Sequence, residues 1–194
     1  MYNLYRIFLF LWISFVVCIW GIYLYAYISP KIVLNSANRI YLYDNKEELV
    51  FESNNNNDWV SLKDISKYVR NATIISEDKS FYDHSGFDYL RIGKAMFNNI
   101  KSGTIVEGAS TISQQYVKNL YLDFNQTWKR KIDEAFLTIK LELRYSKDEI
   151  LEGYLNTINY GQGNYGIASA SKYYFNKNAT KIGSVIMYTC LELV

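Results

Sequence analysis

Glu77-Asp78-Lys79-Ser80-Phe81-Tyr82-Asp83-His84-Ser85-Gly86 is the stretch that decides how this chain is read. Within ten residues it sets a carboxylate, an aromatic ring and the only histidine of the chain. Further on, Gly108-Ala109-Ser110-Thr111-Ile112-Ser113-Gln114-Gln115 is a run of small and hydrogen-bonding side chains, of the kind that lines a polar cleft. A third block, Arg130-Lys131-Ile132-Asp133-Glu134, places a second carboxylate beside two cations.

The chain around these blocks has 194 residues, room for one domain plus an anchor. At 49% hydrophobic residues it can bury a core, and a net charge of +2 is too small to argue for a nucleic-acid partner. Cys18 and Cys190 make no disulfide framework, and no Cys/His spacing suggests zinc. The 19 tyrosines are many, and codon usage is a sufficient reading of them.

The N-terminus speaks to the compartment. Ile7 to Ile28 is an uncharged run of 22 residues, enough for a helix to cross a hydrocarbon core of ~30 Å. Arg6 precedes it, Lys31 follows it, and Tyr2, Tyr5, Tyr23, Tyr25 and Tyr27 sit where an aromatic belt would lie. The run is long for a cleaved signal peptide and no small-x-small site follows, so it reads as a retained signal anchor. One Arg against one Lys is a weak bias for orientation; an N-in anchor would put residues 31–194 outside the membrane.

Beyond the anchor the chain reads as mainly α with one short β element and no internal repeats. Arg39 to Tyr43 and Leu49-Val50-Phe51 form a strand pair around the turn Asp44-Asn45-Lys46, and Asn54 to Asn57 is a solvated spacer. Ser61-Leu62-Lys63-Asp64 reads as a capping box opening a helix toward Glu77, with Ile65, Tyr68, Val69 and Ala72 at helical spacing. Asp88 to Lys101 is a second helix stopped at Gly103, followed by a mobile loop over 103–109. Thr111 to Leu122 is a third. Trp128 to Tyr145 is the clearest amphipathic helix, with Ile132, Ala135, Phe136, Ile139 and Leu143 as its stripe. Ser146-Lys147-Asp148-Glu149 is another capping box, starting a helix through Ile150, Leu151, Tyr154 and Leu155. Gly161, Gly163 and Gly166 turn the chain into a last helix over Ile167 to Phe175.

Two acids with neighbouring cations suit transfer of a sugar from a phosphorylated carrier: one acid activates the acceptor hydroxyl and the cations hold the leaving phosphates. The motifs go further. Glu77-Asp78-x-x-Phe81-x-x-His84-x-Gly86, Gly108-x-Ser110-Thr111-Ile112-x-Gln114-Gln115 with Lys118-Asn119, and Arg130-Lys131-x-x-Glu134 come first. Lys147-x-x-Ile150-Leu151-Glu152-x-Tyr154-Leu155-Asn156 and Gly161-x-x-x-Tyr165-Gly166-Ile167-x-x-Ala170-x-x-Tyr173-Tyr174-Phe175 follow. In this order they resemble the glycosyltransferase family 51 domain, the peptidoglycan glycosyltransferase module of class A penicillin-binding proteins and their monofunctional relatives. The resemblance spans roughly residues 39–180, and a signal anchor just upstream is also the family's habit.

The resemblance implies a lysozyme-like, mainly α transglycosylase fold with a short N-terminal β element after one transmembrane helix. It implies polymerisation of lipid II into β-1,4-linked glycan strands on the outer face of the cell membrane, with release of undecaprenyl diphosphate. Glu77 would be the general base on the acceptor 4-hydroxyl, and Glu134 would assist on the donor side. Lys118, Arg130 and Lys131 would bind the pyrophosphate, and Asp78, Phe81, His84, Ser110, Thr111, Gln114 and Gln115 would line the substrate path. The sequence names no certain cofactor; the resemblance is compatible with a divalent cation such as Mg2+ near the pyrophosphate, for which no dedicated ligand set is visible. Partners implied are lipid II, the nascent glycan chain, the membrane and transpeptidase or cell-wall assembly proteins, with no nucleic acid.

The domains expected are 1–30 for a cytoplasmic tip and anchor, 31–60 for a linker with the hairpin, 61–181 for the glycosyltransferase domain and 182–194 for a divergent tail. Two departures stand out. Gln126 occupies a position that is often basic in the family, and the pattern fades after about Lys181, which reads as a C-terminal truncation that removes part of the fold's wall.

Plainer readings stand beside these. Outside its motif Glu77 would be a surface or capping acid. Glu134 could pair with Arg130 one turn before it, a role compatible with catalysis. His84 reads as a structural, hydrogen-bonded residue that shapes the site, and Glu152, Tyr154 and Asn156 as structural. Lys129-Arg130-Lys131 would be an unfavourable helix start unless it serves a phosphate or lipid surface. Met96 and Phe97 face either lipid or the core. Ser76-Glu77-Asp78-Lys79 and Lys101-Ser102-Gly103 imitate penicillin-binding motifs but lie only about two dozen residues apart with no Ser-Asp-Asn element between them. The rivals to a transferase are a lysozyme-type hydrolase, which also uses two carboxylates, and an inactive membrane-anchored remnant that binds lipid II or a partner without turnover.

Overall fold

The computed structural model describes residues 2–34, 41–43, 49–52, 59–104, 106, 108–122 and 127–182. Helix α1 (Tyr2–Ile28) carries the run read as an anchor: by length and composition Tyr5–Ile28, with a mean hydropathy of 2.5, is long and apolar enough to cross a membrane, and its most apolar stretch is unburied. Backbone strands β1 (Tyr41–Tyr43) and β2 (Leu49–Glu52) pair antiparallel with Leu42 opposite Phe51. The expected turn at Asp44-Asn45-Lys46, the spacer at Asn54 to Asn57 and most of the 182–194 tail lie outside the described residues. Then come α2 (Lys67–Glu77), α3 (Tyr89–Ser102), α4 (Ile112–Tyr121), α5 (Trp128–Glu142), α6 (Lys147–Thr157) and α7 (Ile167–Phe175).

Local chemistry sets most of these boundaries. Thr111 and Ser146 each close a full capping box, with Gln114 and Glu149, so two orphan donors are satisfied at the start of α4 and of α6. Asp88 caps α3 by accepting from the Arg91 N–H at 2.8 Å, and Gly103 ends it at φ +70°. The box expected at Ser61 is not one. Ser61 makes no side-chain cap, and only a 3-10 turn follows at Leu62–Asp64. Ile65 then turns extended to bury its side chain, and α2 starts behind Ser66. Burial of one isoleucine outweighs a short helical start.

The core forms where α4 packs on α5 and α6. Ile112, Tyr116 and Val117 of α4 meet Ile150, Leu151, Tyr154 and Leu155 of α6, with Leu141, Ile167 and Phe81 closing the cluster. On α6, Glu152 and Asn156 lie one turn apart and pin the incoming chain. Glu152 accepts from the Trp59 indole and the Leu62 N–H, both at 2.7 Å, and Asn156 exchanges two bonds of 2.9 Å with the Val60 backbone. Both residues are structural, as read from sequence.

The stripe of α5 is turned away from this core. Ile132 is 69% exposed and Leu143 40%, whereas Glu134, Thr138 and Leu141 are buried. The apolar stripe serves another neighbour: Phe136 stacks on Tyr25 of α1 at 5.4 Å. A helix that carries a buried acid inward must show its apolar side elsewhere, here toward α1.

The join between α1 and the domain is tight. The Arg144 guanidinium donates to the carbonyls of Ala26, at 3.2 Å, Tyr27 and Ser29, which satisfies the end of α1 and complements its dipole. Three tyrosines then strap the extended chain. The hydroxyls of Tyr145, Tyr121 and Tyr116 donate to the carbonyls of Ile32, Val33 and Leu34 at 2.5, 2.5 and 2.8 Å. Part of the high tyrosine content therefore has a structural use that composition did not reveal. Arg144→Met should lower stability in detergent by about 1–2 kcal/mol and speed proteolysis near Ser29, while Arg144→Lys recovers part of the loss. Unchanged cleavage and melting would show the cap to be idle.

Candidate active site

Glu77 is the last residue of α2 and is half-buried. Its main-chain carbonyl accepts from the Arg91 guanidinium, and its carboxylate Oε2 accepts from Gln115 Nε2 at 2.8 Å. Gln115 Oε1 in turn accepts from the Tyr154 hydroxyl at 3.0 Å. The acid is thus held on one side by a neutral amide.

The rest of the first motif builds the turn beneath it. Asp78 is fully buried; its carboxylate meets His84 Nε2 at 3.0 and 3.1 Å and accepts from the Ile112 N–H at 3.0 Å, joining the end of α2 to the start of α4. His84 Nδ1 accepts from the Gly86 N–H at 3.1 Å, so the neutral ring carries its hydrogen on Nε2 and donates to Asp78. Gly86 has φ +90°, and a Cβ there would lie 2.7 Å from Thr138 Cγ2. Its carbonyl accepts from the Thr111 hydroxyl at 2.7 Å. Phe81 is fully buried under Lys147, whose Nζ lies 4.5 Å from the ring centroid. Asp78 and Phe81 expose nothing to a substrate, so they act through the shape of the turn.

On α4, Gln114 and Gln115 divide the two acids between them. Gln114 Nε2 donates to Glu134 Oε1 at 3.2 Å, as Gln115 does to Glu77. Glu134 is 2% exposed and lies against two cations: Lys131 Nζ bonds Oε1, and Arg130 reaches Oε2 at 3.6 Å. The pair with Arg130 considered from sequence is therefore present. Arg130 Nε is buried with no hydrogen-bond partner, and Lys131 is about half exposed. Lys118 is half-buried one turn beyond Gln114 and Gln115 and makes no ion pair among the described residues; Ser110 is half-buried just before the cap. Gln126 lies outside the described residues.

Two cavities border these groups. One of about 460 Å3 is lined by Ser76, Lys79, Ser80, Asp88, Arg91 and Lys94, three cations against one acid. Hydrogen bonds from the Ser80 hydroxyl and the Arg91 N–H hold the Asp88 carboxyl below its usual range. The other, of about 860 Å3, is an apolar groove among Ile92, Met96, Ile100 and Trp128 that includes Lys131. Met96, Phe97, Ile100, Trp128 and Ile132 are each more than half exposed, which rules out core packing for Met96 and Phe97.

No group of three or more metal-binding side chains occurs among the described residues. Among the described residues the acids nearest the cations are already engaged, and no step is assigned to a divalent ion. Ser76 donates to the Thr73 carbonyl at 3.2 Å, and Lys101-Ser102-Gly103 ends α3 without forming a strand, so the acyl-transfer imitation dissolves. Sequence reasoning missed Arg91, which gave no signal, and the link from Tyr154 to the site, although Tyr154 stood in a quoted motif.

Fold and site together define a class: a helical domain that sets two unlike glutamates and their cations behind an apolar helix of membrane length. The chain belongs to the transglycosylase family, whose sequence model matches residues 45–186 and so runs on past Lys181. It is 57% identical over 124 residues to penicillin-binding protein 2D of Bacillus subtilis, covering 64% of this chain and 18% of that protein. It is 47% identical over 135 residues to a biosynthetic peptidoglycan transglycosylase of Mannheimia succiniciproducens, covering 70% and 55%. Penicillin-binding protein 1F of Bacillus subtilis matches at 44% over 149 residues, covering 77% and 21%. The chain thus spans about half or less of the length of these relatives.

Proposed function

We propose that this chain is a peptidoglycan glycosyltransferase that joins lipid II units into β-1,4-linked glycan and releases undecaprenyl diphosphate. The observation that carries the mechanism is the unlike setting of the two acids. Glu77 is half-exposed and held by one neutral donor, so it is free to accept a proton. Glu134 is buried against Arg130 and Lys131, so its carboxyl oxygens are taken up in fixing those cations.

As the acceptor 4-hydroxyl attacks the anomeric carbon of the donor, its proton passes to Glu77. The bond from that carbon to the diphosphate oxygen breaks, and the diphosphate leaves with the electron pair, inverting the centre. Lys118, Arg130 and Lys131 offset the charge that builds on the leaving group. Ser110, Thr111, Gln114 and Gln115 border the path, Thr111 and Gln114 through the cap they close.

The substrate is lipid-linked, and the surface suits it. The exposed apolar side chains of α3 and of the start of α5 face a bilayer beside α1, with the groove at Lys131 leading from lipid to cation. In this reading residues 1–30 are the cytoplasmic tip and anchor, 31–60 the linker, 61–181 the catalytic domain on the extracytoplasmic side and 182–194 a tail. A transpeptidase or a cell-wall assembly protein would then act on or beside the product strand.

The test is labelled lipid II incubated with the detergent-solubilised chain. A ladder of polymer that lysozyme digests is the expected result. Shortening of preformed strands without polymer would point to a hydrolase, and neither activity from folded protein would point to a binding remnant.

A further inference from the structure

We infer that Tyr154 is a positioning residue of this site: through Gln115 it fixes the direction of the hydrogen bond received by Glu77, and so keeps that acid ready to accept a proton. The inference rests on the reading of Glu77 as the base.

A glutamine side chain can face a carboxylate with its N–H2 or, flipped, with its oxygen. Only the first supports an ionised Glu77. The geometry selects it, with Gln115 Nε2 at 2.8 Å from Glu77 Oε2 and Gln115 Oε1 at 3.0 Å from the Tyr154 hydroxyl. The tyrosine can be trusted as the donor. Its side chain is fully buried on α6, and burial, together with the nearby charges of Glu77 and Asp78, pushes its hydroxyl well above the usual tyrosine range, so it keeps its hydrogen. In the flipped state that hydrogen would have no acceptor in a buried place, a costly arrangement. Tyr154 therefore opposes the one rearrangement by which a protonated Glu77 could donate to Gln115.

The other groups around Glu77 do not perform this selection. Asp78 is taken by His84 and the Ile112 N–H on the turn after α2, and Arg91 of α3 sits on the Glu77 main-chain carbonyl. Glu134 of α5 is neutralised by Lys131 and Arg130 across Gln114. Lys79, two residues on from Glu77, is a single cation that attracts either the anion or a phosphate and has no preference for one face of an amide.

With Tyr154→Phe, a flipped Gln115 can accept from protonated Glu77 without orphaning a hydrogen, so protonation becomes easier. The sign follows: the carboxyl titrates at higher pH, and the acid limb of the polymerisation rate moves up by about 0.5 to 1 pH unit. Gln115→Met removes the donor itself and should move the limb further, and adding Tyr154→Phe to Gln115→Met should then change nothing more.

The experiment is the pH–rate profile of lipid II polymerisation for parent, Tyr154→Phe, Gln115→Met and the double variant. Alongside it, 13C NMR titration of the Glu77 carboxyl is run in the same detergent. An upward shift in Tyr154→Phe that disappears in the Gln115→Met background is expected in both readouts. A rate that falls equally at every pH, with an unmoved carboxyl titration, would overturn the inference and leave Tyr154 as packing. If the parent makes no polymer, the enzymatic reading fails while the carboxyl titration still decides the role of Tyr154.

Discussion

Glu77→Gln is expected to cut polymerisation of labelled lipid II by about 10²–10⁴-fold while leaving the helical content and the melting transition intact. The substitution separates two functions that the carboxylate combines. As an acceptor for Gln115 Nε2 at 2.8 Å, the new amide oxygen serves as well as the old carboxylate oxygen, so the local structure survives. As a proton acceptor during attack, an amide is useless. The loss should fall on turnover rather than on substrate affinity, because the cations assigned to the diphosphate lie on α4 and α5 and are untouched. The contrast within the motif is instructive. Asp78, its immediate neighbour, is buried and holds both His84 and the first N–H of α4, so its removal would damage the fold and say little about chemistry. A Glu77→Gln chain that still polymerises at more than about a tenth of the parental rate would be incompatible with general-base catalysis by this residue.

What the sequence revealed and what it hid follow a physical division. Features written within a few residues were legible. The capping boxes at Thr111 and Ser146, the stop at Gly103 and the apolar run of α1 all depend on neighbours three to some twenty positions apart, and all are present. The candidate acids were legible because their motifs are local too, and His84 sits where a structural histidine was expected. Periodicity failed where it had to name a partner. The stripe of α5 announced an amphipathic helix, but nothing in its spacing says that Phe136 meets Tyr25 of α1 while Glu134 goes inward. The false start at Ser61 shows the same limit, since the capping signal is local and the burial of Ile65 that overrides it is not. The Tyr154–Gln115 bond joins residues 39 apart, and the straps from Tyr116, Tyr121 and Tyr145 to residues 32–34 join residues 82 to 113 apart. Only the folded chain brings such pairs together.

Gly153→Ala should be among the most destabilising single substitutions in the domain, and it runs against the helix scale. Gly153 sits in the interior of α6, where alanine would ordinarily add about 1 kcal/mol of stability. Here the Tyr116 ring lies across the glycine. An added Cβ would fall inside the van der Waals shell of the hydroxyl oxygen and of Cζ, and 2.8 Å from Cε1. Tyr116 has nowhere to retreat: it is fully buried, and its hydroxyl is tied to the Leu34 carbonyl at 2.8 Å. Relief would require α4 and α6 to part, and overpacking of a tight core costs about 1–3 kcal/mol and occasionally more. A loss of about 3 kcal/mol and a melting temperature lower by roughly 10 °C are expected in detergent. Tyr116→Phe in the same chain should help little, because Cζ and Cε1 still collide, whereas Tyr116→Leu should recover part of the loss at the expense of the strap to Leu34. The damage should also reach the chemistry. Tyr154 is the next residue on α6 and Gln115 the residue before Tyr116 on α4, so the displacement that relieves the clash is the one that stretches the bond supporting Glu77. A Gly153→Ala chain that melts at or above the parental temperature would mean that the two helices are not in this contact, and the positioning assigned to Tyr154 would lose its geometric basis.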